Sequence, residues 1–267
     1  MSTPDQPQTV IETPEALKAR LDGVSTGITT VKPRVFFKKV EHLFGGPTSM
    51  NLNIPSSGIG SVTLLEAAIL VSLLKVLEPR KVFEFGTFLG YSSSLLLRNT
   101  GSDCEVHTID LGEQVEAYEA AKAYSDAELH ADDKKNDDYL RYTQGAKGTY
   151  YLTDLTLAER TRVKLLHGDS TQLDVAGKGY TGAFDFAFID GGHDTATIAS
   201  DTAKALEMVG GDGVIAWHDF NSTIHSDVTD FVRGFSADHA VLHVQSTMLA
   251  LLLVGGARTR FLQLAAD

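Results

Sequence analysis

Residues 82–94, VFEFGTFLGYSSS, place a short apolar strand, a loop carrying Gly86 and Gly90, and the opening of a helix in direct succession. The free N–H groups at such a helix start, together with its dipole, favour an anionic or electron-rich ligand above them. Glu84, the one acid in the strand, favours a cationic ligand. The glycine spacing narrows the choice. A dinucleotide site uses G-x-G-x-x-G, whose middle glycine lets a pyrophosphate approach the backbone, and here Phe88 holds that place. No G-x-x-x-x-G-K-[ST] phosphate loop occurs in the chain. The pattern E-x-G-x-x-x-G suits instead a nucleoside with an amino-acid tail, whose ammonium and carboxylate would use Glu84 and the loop amides.

From residue 62 onward, helical and extended patterns alternate, which implies an α/β fold with a parallel sheet covered on both faces. Strands are expected at 82–85, 105–109, 163–166, 184–189 and 214–217, with 239–244 and 248–254 as a closely spaced terminal pair. The apolar run 62–77 contains Glu66 and Lys75 and reads as one buried helix, too short to span a bilayer. Residues 1–60 form an N-terminal extension, disordered at first and then helical. Thr13 caps a helix that opens at Pro14. Residues 35–44 set Phe36, Phe37, Val40, Leu43 and Phe44 on one side, a face expected to pack on the main domain or on a second subunit. An insert, 111–162, separates the second and third strands of the domain. Its 113–138 part holds nine acids against three lysines and is expected to be an exposed helix rather than a lid. Tyr150 and Tyr151 beyond it either line a pocket or pack.

Polar groups recur just after the expected strands: Asp110, then Gly168-Asp169-Ser170, then Asp190, then His218-Asp219. In a parallel sheet these emerge at one edge, where the crevice outside the carboxyl ends of the strands holds ligands. One acid after a strand is usually a turn former. Four such positions, with Glu84, point to a shared pocket.

A formal charge of −12 without any Lys/Arg cluster argues against nucleic acid or an anionic membrane as partner, leaving a small-molecule acceptor. Cys104 is the only cysteine, so no intrachain disulfide forms, and the thiol suits a reducing cytosol. The polar start MSTPDQPQTVIETP has neither a basic region nor an apolar core of an export signal, so a cytoplasmic location is expected.

The segments EFGTFLGYSS, HTID, HGDS, FIDGGHD and GVIAWHDF, in that order, resemble class I S-adenosylmethionine-dependent methyltransferases. The likeness is to small-molecule O-methyltransferases of the catechol and caffeoyl-CoA kind and to bacterial sugar and natural-product enzymes. It covers roughly residues 60–254 and leaves out the first sixty. It implies a Rossmann-like doubly wound sheet of seven strands with an antiparallel last strand, in a methyltransferase domain over 61–267. It further implies that S-adenosylmethionine is held by Glu84, Gly86, Thr87, Gly90, Ser92, Asp110, Asp169, Ser170 and Asp190. Asp110, twenty residues after Gly90, would take the ribose hydroxyls, and Asp169 the adenine amino group.

Methyl transfer to oxygen is an in-line displacement that needs an aligned, deprotonated acceptor. Two devices stay open. Asp190, His218 and Asp219 correspond to positions that bind a divalent ion, magnesium or manganese, in metal-dependent relatives. His218 replaces an acid there, and imidazole suits manganese, iron or zinc better than magnesium. Alternatively His193 or His218 is the base, oriented by Asp190 and Asp219; His193 stands where catechol-type enzymes carry a lysine, and its ordinary pKa suits proton transfer at neutral pH. The catalytic candidates are thus His193, Asp190 and His218. His42, His107, His130, His167, His225, His239 and His243 show no ligand spacing and are expected to be structural. Other readings are a nucleotide-sugar or NAD-linked oxidoreductase, opposed by Phe88, and a non-catalytic nucleoside-binding module.

Overall fold

The strand sequences FAFI and GVIAW are apolar throughout, and KVFEF is so but for Lys81 and Glu84, the pattern of strands buried on both faces. A computed structural model describes residues 9–23, 26–54, 62–111 and 149–262, with positions 125, 127, 128, 135 and 139. The acidic helix expected in 113–138, His130 and the first eight residues lie outside the described residues, apart from four positions in 113–138.

The strands are β1 (Thr9–Ile11), β2 (Gly27–Val31), β3 (Lys81–Phe85), β4 (Glu105–Asp110), β5 (Val163–His167), β6 (Phe186–Ile189), β7 (Gly213–Trp217), β8 (Ala240–Val244) and β9 (Ala250–Val254). They form one sheet in the order β1-β2-β8-β9-β7-β6-β3-β4-β5. Every pairing is parallel except the two made by β9. The seven expected strands and the antiparallel last one are all present. The sheet nevertheless has nine, because β1 and β2 of the extension join it beside β8. The extension was expected to be helical after a disordered start; its short strands hide two buried threonines, Thr29 and Thr30, that read as loop.

Between strands run α1 (Pro14–Gly23), α2 (Pro33–Phe44), α3 (Leu64–Leu77), α4 (Tyr91–Arg98), α5 (Leu157–Arg162), α6 (Thr195–Val209), α7 (Ser226–Phe235) and α8 (Gly255–Leu262). One core layer joins Phe83, Phe85, Ile189, Ile215 and Trp217 to α6 and α7. The other joins Val82, Phe186, Phe188, Val214 and Leu251 to α2, α3, α4 and α8. The aromatic face of α2 packs within the chain, Phe36 lying 5.7 Å from Phe261 between ring centroids. Thr13 Oγ1 accepts the Ala16 amide at 3.1 Å, the expected cap of α1. Among the described residues no helix is long and apolar enough to cross a membrane. Strand order reverses between β3 and β6, which opens a crevice at their carboxyl ends.

Candidate active site

Past the ends of the strands the backbone ladder continues for one more step. The Gly168 amide donates to Asp110 O (2.9 Å), Gly86 to Ile109 O (2.9 Å), Asp190 to Phe85 O (2.9 Å) and His218 to Ile189 O (3.0 Å). Five neighbouring strand ends, those of β7, β6, β3, β4 and β5, are thereby tied into one rim, and the polar residues that follow them share it.

At the crevice, Gly86 has φ +95°, and a Cβ there would collide with the Asp190 backbone carbonyl. Only glycine lets the loop and the end of β6 come this close. The Gly90 amide donates to Thr87 O at 2.7 Å, closing the turn, and Gly90 itself, at φ +78°, leads into α4. Phe88 also has a positive φ, +43°, and its amide donates to Asp110 Oδ2 at 2.5 Å. Asp110 therefore fixes the loop as well as presenting a carboxylate. Leu152 lies over Gly90, and Tyr151, buried and edge-on to Tyr91, donates its amide to Leu89 O at 3.0 Å. Tyr151 thus packs, while Tyr150 is half exposed.

Glu84 is fully buried beneath this loop, where the Ser93 hydroxyl donates to its Oε2. Burial pushes its pKa up to about 7, against the opposing hydroxyls of Ser92, Ser93 and Thr108, and the charge of Asp190 adds to the rise. Its Oε1 has no hydrogen-bond partner among the described residues. A buried acid with an orphaned oxygen under a glycine loop is suited to receive a cationic group.

Asp169 is exposed, and its Oδ1 accepts from the Thr171 amide (2.8 Å) and hydroxyl (2.7 Å), capping the short turn Ser170–Gln172. Beneath it lies Asp201 of α6, whose pKa burial raises to about 7, with Ser170 and Lys204 opposing. A Cβ on Gly191 would sit 3.5 Å from Asp201 Oδ2. Asp201 thus lies beneath both the 190–192 loop and the 169–170 turn.

The other end of the crevice is built from β7 and α3. His218 Nδ1 lies 3.1 Å from Asp190 Oδ1 and 3.0 Å from Asp219 Oδ2, and its Nε2 lies 3.4 Å from Glu66 Oε2. Burial works against a charge on the ring, but Asp219 and Asp190 outweigh it and hold the pKa well above 6.5. Burial likewise disfavours charge on Asp219, yet His218 and His193 hold its carboxyl well below the usual range. Glu66 is placed by the capping box that starts α3, its Oε2 accepting from the Thr63 amide at 2.7 Å, and its Oε1 accepts the Met248 amide at 2.6 Å. Burial opposes its ionisation, while His218 and these two amides bring its pKa down to about 2. His193 Nε2 lies 3.0 Å from Asp219 Oδ2. His225, expected to be structural, stacks on His193 with centroids 3.8 Å apart and belongs to the site.

The ligand atoms of Asp190, His218 and Asp219 lie within 4.8 Å of one another. That spacing is compatible with the divalent ion expected there, Asp190 and Asp219 offering oxygen and His218 Nδ1 offering nitrogen. With the ring of His218 charged, the same atoms instead form an ion-paired cluster between the two carboxylates.

A family model described as a methyltransferase domain matches residues 83–220, more than half of the 267 residues. The chain belongs to this methyltransferase family. No curated protein sequence matches the methyltransferase. It resembles the structure of a protein assigned as an O-methyltransferase from Klebsiella pneumoniae, at 16% identity over 82% of this chain and 89% of that one, with a TM-score of 0.50. Two further structures align over similar lengths. One is the O-methyltransferase TomG from Streptomyces achromogenes, in complex with SAM (17% identity, 90% and 96% covered, TM-score 0.46). The other is an O-methyltransferase from Bacillus cereus with SAH (19% identity, 82% and 90% covered, TM-score 0.46). At 16% identity the likeness to the Klebsiella pneumoniae structure is one of fold.

The structure brings Glu84, Gly86, Thr87, Gly90, Ser92, Asp110, Asp190, His193, His218 and Asp219 of the methyltransferase to one crevice, with Asp169 and Ser170 at its outer end. Sequence reasoning missed Glu66 and His225. Glu66 carried a signal: it is one acid within an apolar run, three residues after a capping threonine. His225 carried none, since it reaches His193 only through the folding of the loop after β7.

Proposed function

We propose that this methyltransferase uses S-adenosylmethionine and methylates a hydroxyl group on a small-molecule acceptor such as a sugar, a phenol or a natural-product intermediate. The observation that carries the reading is the single rim that joins a buried acid, a glycine loop and a histidine–carboxylate pair. When bound, the cofactor supplies an electrophilic methyl group on a sulfonium. Asp110 accepts from the ribose hydroxyls, and Glu84 receives the ammonium of the amino-acid tail. The amides around Gly86 and Thr87, with Ser92 at the start of α4, take its carboxylate. Asp169 and Ser170 border the adenine.

His193 acts as the base. Its Nε2 lies 3.0 Å from Asp219 Oδ2; with that nitrogen protonated, Nδ1 is the atom that would take the acceptor's proton. With the cofactor bound, methyl transfer from its sulfonium to the hydroxyl oxygen would release one proton, which His193 would take up, and would leave the cofactor as the neutral thioether. Asp219, kept ionised by His218 and His193, stabilises the imidazolium that forms. His218 and Glu66 hold Asp190 and Asp219 in place. In this reading residues 1–60 are an extension to a methyltransferase domain of 61–267, the enzyme is cytosolic, and a homodimer would use the exposed end of α2 near Phe44, which sedimentation tests directly.

Calorimetry with S-adenosylmethionine, S-adenosylhomocysteine and NAD tests the cofactor, and binding of NAD alone would overturn the proposal. Labelled-methyl transfer to a panel of hydroxylated acceptors tests the reaction. His193→Ala should abolish transfer while S-adenosylhomocysteine affinity changes less than about threefold, as expected for a residue that does not hold the cofactor. Undiminished transfer by that variant would remove His193 as the base.

A further inference from the structure

We propose that His193, Asp219 and His225 form a site for a divalent transition-metal ion, displaced from the position that metal-dependent relatives use. Potential ligand atoms of the three residues lie within 4.8 Å of one another. His193 Nε2 and Asp219 Oδ2 are 3.0 Å apart. Two ligands at about 2.0–2.2 Å from one zinc-like ion stand about 3.0–3.4 Å apart for octahedral to tetrahedral angles. That edge is therefore already at ligand spacing, and the ligand atom of His225 lies within 4.8 Å of both. The stacked rings of His193 and His225, 3.8 Å apart and 20° from parallel, set two imidazoles side by side.

The loop that carries two of the ligands is firmly built. Asp219 and Asn221 adopt positive φ, +60° and +63°, a conformation that persists only where the surroundings enforce it. The Ser222 amide donates to Asp219 O (3.0 Å), the Asn221 amide to Thr229 Oγ1 (2.9 Å) and the His225 amide to Ser222 Oγ (3.4 Å). His225 and Asp219 are buried, 4% and 8% exposed.

The setting is acidic: Glu66, Asp190 and Asp219 all face the His218 ring, and Asp219 also faces His193, so three carboxylates converge on this end of the crevice. His218 offers a single imidazole on the Asp190 side, whereas His193 and His225 offer two beside Asp219. Two imidazoles and one carboxylate suit zinc, cobalt, manganese or iron, and not magnesium, which prefers oxygen and retains its water. An ion on Nε2 of His193 leaves the ring proton on Nδ1, so the metal-loaded form and the base-competent form of His193 exclude each other.

Cobalt(II) is the probe, because its visible ligand-field absorption reports nitrogen ligation without any turnover. The metal-free full chain, titrated with cobalt chloride, should develop absorption that saturates at one ion per chain, that zinc removes and that magnesium leaves intact. His225→Asn and His193→Gln should each weaken cobalt binding at least about tenfold, whereas Asp190→Asn should change it less than about threefold. Calorimetric binding of S-adenosylhomocysteine shows that each variant is folded, and its failure in the wild type would count against the proposed cofactor and leave the metal result standing. Absence of cobalt absorption in the wild-type chain overturns the site. So does loss of binding with Asp190→Asn but not with His225→Asn, which would place the ion at the position used by relatives, and so does binding that none of the three substitutions weakens.

Discussion

Glu84→Gln should make the protein's stability less sensitive to pH, and the size of the effect follows from the burial of this one carboxyl. Burial raises its pKa from 4.5 to about 7. An acid whose folded pKa is raised holds its proton more tightly in the native state. Its contribution is therefore fully present below the unfolded value and is lost as pH rises through the folded value. At about 1.4 kcal/mol per pH unit, the rise amounts to about 3 kcal/mol, most of which falls between pH 5 and pH 8. Urea unfolding followed by the fluorescence of Trp217, the only tryptophan and fully buried, measures it. Over that interval the wild type should lose about 2–3 kcal/mol more than Glu84→Gln, since every other titrating group is common to both chains. Saturating S-adenosylhomocysteine, whose ammonium would pair with ionised Glu84, should reduce the wild-type loss. Parallel pH profiles for the two proteins would refute the reasoning, because they would mean that Glu84 titrates alike in the folded and unfolded chains.

Other substitutions separate the parts of the crevice. Gly86→Ala should destabilise the fold by about 3 kcal/mol or more, measured in urea, because its methyl group would press on the Asp190 carbonyl from a positive-φ position. Asp110→Ala should weaken S-adenosylhomocysteine binding by about tenfold to a hundredfold in calorimetry, the loss expected for charge-assisted hydrogen bonds. Glu66→Ala should cost about 3–5 kcal/mol, because it strips a buried partner from His218 and orphans the Thr63 and Met248 amides. Glu66→Gln should recover part of that stability by keeping acceptors for the amides.

Much of the sheet could be read from the chain because its central strands are apolar runs that end in a polar residue, and burial on both faces leaves few other ways to place such runs. Asp110, Asp190 and His218 were legible for the same reason: each is the first polar group after a buried strand, and parallel pairing brings those ends together. β1 and β2 were not legible. Three and five residues are too few to show a period, and Thr30 is buried because its hydroxyl meets His243 Nδ1 at 3.3 Å, a partner 213 positions away. Asp169 was assigned to adenine from its place after a strand, yet its carboxylate also caps the turn that follows, a local role that sequence position alone does not distinguish. His218 was read as a metal ligand or a base from its place in the family pattern. Its contact with Glu66, from a helix 152 positions earlier, could not be read that way.

The sheet ends, on the side of the extension, in a strand only three residues long. Trimming the chain to begin after β2 would uncover β8, a five-residue strand, Ala240–Val244, with four buried positions, and leave its backbone donors open to pairing with another molecule. The opening stretch thus works as a selvedge: chains shortened there should form intermolecular sheet and precipitate, even though every residue of the methyl-transfer crevice would still be encoded.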